Sequence, residues 1–107
     1  MAAVLEKVRQ LERYVQLTNG HVDQYLERML DKALERERQR LLRQQTRLDS
    51  HVAEFERRYG WRSDEFYPRF ERGELGDDMD FIEWSATIEM IANLQCALNA
   101  LGQRETS

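Results

Sequence analysis

The fold is decided by residues 23–58, DQYLERMLDKALERERQRLLRQQTRLDSHVAEFERR, thirty-six positions without a Gly or a Pro. With nothing to break it, this stretch reads as a single helix. At a rise of about 1.5 Å per residue it is ~54 Å long. A compact domain of this chain's size has a radius of gyration of only ~13 Å. The helix therefore has to be covered by other segments, by a second copy or by a different partner. Leu34, Leu41, Leu48 and Phe55 recur every seven residues along it, and Glu37, Gln44 and His51 fill the companion position. One narrow apolar stripe suits a loosely packed coiled-coil arm.

Outward from this helix the rest of the chain also reads as helix. The 107 residues are 41% apolar and 34% charged, with five Gly and one Pro. Few β-branched runs and no hairpin turn signal argue against strands, so the chain is all-α. By length it is one helical domain, 1–107. Its segments are an N-terminal helix and turn (1–22), the long charged helix (23–59), an aromatic turn with a short helix (60–77), an apolar helix (78–102) and a tail (103–107). The architecture expected is an elongated antiparallel helical hairpin, or coiled coil, with a short connecting helix, two chains pairing along the long helix as a dimeric bundle.

In the first helix Val4, Leu5, Val8, Leu11 and Val15 share a face. Gly20 is expected at C′ as its stop, with Asp23 capping the long helix, so that the first helix folds back on the start of the second. Gly60 ends the long helix, Ser63-Asp64-Glu65 opens the short one and Gly73 closes it, with Pro68 suggesting a kink or a 3₁₀ turn. Asp80 and Glu83 are spaced as a capping box for the last helix. Its buried side is expected to carry Phe81, Trp84, Ile88, Ile91, Leu94, Leu98 and Leu101, widened by Ile82 and Ala92. Cys96 reads as a small buried hydrophobe.

Charge is unevenly spread: residues 1–23 are neutral, 24–58 carry +2 and 59–107 carry −6, for a net −4. The two larger segments complement each other. No part is basic enough for a protein that coats DNA, and nucleic acid is not the expected partner. Glu6, Lys7 and Arg9 interrupt any apolar leader, and no apolar run approaches the ~18 residues of a membrane span, so the expected location is cytoplasmic.

Catalytic chemistry finds no foothold. Asp77, Asp78, Asp80 and Glu83 are dense enough for a cation but do not match a calcium loop, and carboxylates at a helix start answer its free N–H groups. His21 and His51 lack neighbours at metal-ligand spacing. No glycine loop cradles a phosphate. The reading is no enzyme, no cofactor and no metal. Two features suit a partner instead. Arg36, Arg40, Arg43 and Arg47, together with Arg38, stud the long helix as a solvated face or as a docking stripe. Among the aromatics Trp61 is the expected exposed anchor, with Tyr67 beside it.

The run Phe55-Glu56-Arg57-Arg58-Tyr59-Gly60, then Phe70-Glu71-Arg72-Gly73-Glu74-Leu75-Gly76-Asp77-Asp78-Met79-Asp80-Phe81 and Glu83-Trp84, resembles a family of small prokaryotic proteins. In these a charged coiled-coil helix precedes an F-E-x-x-Y-G … G-E-L-G-D-D-x-D … E-W signature. The resemblance covers roughly residues 23–101. It implies an antitoxin-side partner of a TumE-type toxin–antitoxin pair, binding a small toxin protein encoded nearby, and it brings no catalytic residue or cofactor. The alternatives are a structural homo-oligomer or adaptor without a toxin, and an RNA-binding arm that uses the arginines.

Overall fold

The structure, a computed structural model, describes residues 2–102. Its four helices are α1 (Ala2–Leu17), α2 (Gln24–Tyr59), α3 (Ser63–Glu71) and α4 (Met79–Gly102), and no strand occurs among the described residues. The chain is all-α, as expected. None of these helices is long and apolar enough to cross a membrane. Two compact units divide within α2, one ending at Glu35 and the other starting at Arg36.

The first unit holds α1 and the opening turns of α2. A Schellman motif ends α1, but not with glycine at C′ as expected. Asn19 takes that position at φ 56°, donating to Gln16 O at 3.1 Å, while the Gly20 N–H reaches Val15 O at 2.9 Å. Asn tolerates the left-handed region because its short polar side chain can bond locally, and Gly20 follows at C″ with φ 81°. Asp23 then caps α2, its Oδ1 accepting the Tyr25 N–H at 2.7 Å. No residue of α1 is buried.

In the second unit the rest of α2 and α4 run antiparallel. The Arg38 guanidinium donates to Leu101 O at 3.0 Å, His51 Nδ1 lies 3.7 Å from Glu83 Oε2, and Arg58 meets Asp80 at 2.7 Å. Leu41 and Leu94 are buried in the middles of the two helices. At the closed end, α3 packs beside α4 and a core forms from Phe55, Phe66 and Trp84. Phe66 and Trp84 stack in parallel planes with ring centroids 3.9 Å apart, at 1% and 0% exposure. Tyr59, Trp61, Phe70 and Phe81 close around them. Aromatic side chains bury some 150–250 Å² each, which is how so short a unit builds a core.

Several local expectations are corrected. The segment around Pro68 is α-helical, and its helix ends in a second Schellman motif with Gly73 at C′ (φ 75°). There Gly73 donates to Phe70 O at 2.9 Å and Glu74 to Arg69 O at 3.0 Å. The cap of α4 is Asp78, whose Oδ1 accepts the Asp80 N–H at 2.9 Å. Asp80 is thereby free to bond across to α2. Cys96, Ile82 and Ala92 are exposed, not buried. Cys96 lies two residues beyond buried Leu94, about 200° round the helix, and so faces away from α2.

Candidate interaction surface

Spacings of four, three and four place Arg36, Arg40, Arg43 and Arg47 within a sector of about 60° on α2, along ~16 Å of helix. All four are exposed. Arg40 donates to Glu37 Oε1 at 2.9 Å, and this bond together with the charge of Arg40 holds the Glu37 carboxyl below its usual range. Arg36, Arg43 and Arg47 make no ion pair among the described residues. Arg38 leaves the stripe, being two residues out of phase, and is half-buried against Leu101.

The other arginines of this unit that lie in helices or turns are matched. Arg57 pairs with Glu54, and Arg58 with Asp80. Arg62 meets Asp64 at 2.9 Å, while Arg69 and Arg72 share Glu74 at 3.4 and 2.6 Å. The contrast gives the stripe its chemistry. Planar guanidinium groups in a row, Arg36, Arg43 and Arg47 outside any ion pair and Arg40 bonded to Glu37, suit carboxylates or phosphates presented in a line.

Trp61 is not the exposed anchor expected from its place in a linker. It is half-buried, stacked between Tyr59 and Phe66 at centroid distances of 6.3 and 6.4 Å, with the Arg69 guanidinium 5.8 Å over its ring. A shallow surface concavity does reach its edge, lined also by Ala53, Glu56, Arg57, Gly60 and Arg62. Tyr67 is half-buried and donates its hydroxyl to Glu89 Oε2 at 2.7 Å. That bond, then partial burial and the nearby Glu71 carboxylate, push the phenol up to about 12. Trp61 and Tyr67 thus pack and pin the aromatic end, apart from the arginine face.

Two polar links were not read from sequence. The indole N–H of buried Trp84 donates to Ser63 Oγ at 2.9 Å, so the first residue of α3 satisfies the core instead of capping its own helix. The Ser63 N–H in turn donates to Glu56 Oε2 at 2.8 Å. Asp80 Oδ2 accepts the Tyr59 hydroxyl at 2.6 Å and the Arg58 guanidinium at 2.7 Å, and both bonds lower its carboxyl below the usual range, Tyr59 most. A signal was available: a Trp in an apolar core needs an acceptor for its N–H. Which residue supplies it depends on tertiary position. No group of three His, Cys, Asp or Glu suited to a metal occurs among the described residues.

Comparison with protein-family models, curated proteins and solved structures finds no match to this chain.

Proposed function

We propose that this chain is a non-enzymatic interaction module that docks a small, acidic-surfaced protein along the arginine face of α2. The observation that carries the reading is the set Arg36, Arg40, Arg43 and Arg47, exposed on one side of a helix while neighbouring arginines are spent on carboxylates. A row of exposed guanidinium groups, of which only Arg40 is bonded to a carboxylate, steers and orients an acidic partner, and its contribution falls as salt screens it. The signature across residues 55–84 adds the antitoxin reading, in which the partner is a small toxin encoded by the adjacent gene.

The test is co-expression with that neighbouring product, followed by titration of the purified pair at two salt concentrations. A complex whose affinity falls at least tenfold in Arg40→Glu/Arg43→Glu/Arg47→Glu, with an unchanged melting temperature, supports the reading. A toxin left unbound and fully active by the wild-type chain removes the antitoxin role. Binding indifferent to both salt and charge reversal removes the arginine face.

A further inference from the structure

We infer that the N-terminal unit is completed by a second copy of this chain, the two copies pairing α1 and the opening turns of α2 into one helical bundle. The inference stands on residues 2–35 and is independent of the arginine reading. No residue of this unit is buried. Leu11, Val15, Leu26 and Leu30 are half-buried, while Val4, on the same face of α1 as Leu11 and Val15, is 65% exposed, and Tyr25, beside Leu26, is 65% exposed. An apolar line that is half-buried along part of its length and open along the rest is what helices show when the second layer of their core is missing.

A unit of this size seldom holds itself together. Free-standing domains below about 40 residues usually need disulfides, metals or association, and this unit, though its second helix continues past Glu35, buries no residue of its own. The chain's one cysteine, Cys96, lies far along the sequence in α4, so no disulfide can close within the unit. No metal-type cluster occurs among the described residues. Association is what remains.

Charge selects the occupant. Residues 1–35 hold five basic and six acidic groups, interspersed for a net of −1. Such a surface offers a strongly charged protein nothing to complement, whereas two copies meet without repulsion and each brings the same apolar stripe. That self-complementarity is the property of a two-fold interface.

Sedimentation equilibrium of the full chain tests the inference. The expected result is a species of twice the 12.8 kDa chain mass, dissociating on dilution. Val4→Glu/Val8→Glu should return it to monomer while the fluorescence of Trp61 and Trp84, both in the other unit, stays native. Met90→Glu, at an exposed apolar site on α4, should leave the dimer intact. A wild-type monomer at every concentration overturns the inference. So does a dimer that survives the double substitution, or one that Met90→Glu dissolves.

Discussion

Residues 2–35 and residues 36–102 are both helical, yet they use their apolar side chains in opposite ways. In the second unit Trp84 and Phe66 vanish from solvent, and Phe55, Tyr59, Trp61, Phe70 and Phe81 each have a ring neighbour within about 6.5 Å. In the first, no side chain is buried and Leu17 stands 84% exposed. The difference is one of layers. A helix buries a stripe only against something, and the second unit has three helical segments converging at its closed end where the first has two. Aromatic rings compound the effect, because each buries more area than a Val or Leu can.

The largest effect should come from breaking the aromatic end. Trp84→Ala removes the ring at the centre of the stack and leaves a cavity, and should cost ~3–5 kcal/mol in denaturant unfolding. A loss under about 1 kcal/mol would mean the cluster is no better packed than the N-terminal unit, and the comparison would collapse. Next, Ser63→Ala takes the acceptor from a fully buried indole N–H and should cost ~1–3 kcal/mol, the desolvation penalty of an unpaired donor. Trp84→Phe in the same background should then recover part of that loss, since no donor remains to satisfy.

A smaller, pH-dependent effect sits where α2 and α4 are pinned. The Tyr59 hydroxyl and the Arg58 guanidinium hold the Asp80 carboxyl below its ordinary value. A depressed folded pKa adds stability above the unfolded value of about 3.9, and that stability is lost as pH falls through the folded pKa. Wild type should therefore melt above Asp80→Asn at pH 7, and the gap should close as the pH falls below about 4. A gap constant across that fall would show that the carboxylate charge contributes nothing.

How much of this was legible follows the same division. The helices could be read from the sequence because their stops are chemical: Gly60 and Gly73 both take the left-handed region, and Asp23 caps α2. Pro68 misled because packing holds α3 helical through it: Phe66 stacks on Trp84 in the core and Gly73 and Glu74 close the end of the helix. Partners at a distance could not be read. Asp78 and Asp80 are equally good caps in one dimension, and only the approach of Tyr59 and Arg58 assigns Asp80 elsewhere. Trp61 looked exposed because a linker position says nothing of the ring it stacks on. Cys96 was open to a better reading, since counting from Leu94 places it on the far side of α4. The arginine face was visible as a spacing of four, three and four, but that Arg40 takes Glu37 while Arg36, Arg43 and Arg47 stay outside any ion pair among the described residues needed coordinates.

The smallest effect expected is also the one that sharpens the comparison most. Leu17→Ala, in the last turn of α1, removes a side chain that touches little within its own unit. As a surface substitution it should fall within ±0.5 kcal/mol, with Ala's good helix propensity offsetting what contact is lost. Measured at low micromolar protein by thermal melting, a near-zero change means that the end of α1 is as open in solution as its exposure says. A loss above about 1 kcal/mol would mean that something covers Leu17 in the working state of the protein, because a cost of that size requires burial. The interface inferred between copies would then reach round α1 to Leu17, about 220° from Val4, instead of ending at the stripe of Val4 and Val8, and the contrast with the aromatic core would be one of timing: one unit buries its apolar side chains on folding, the other on meeting its second copy.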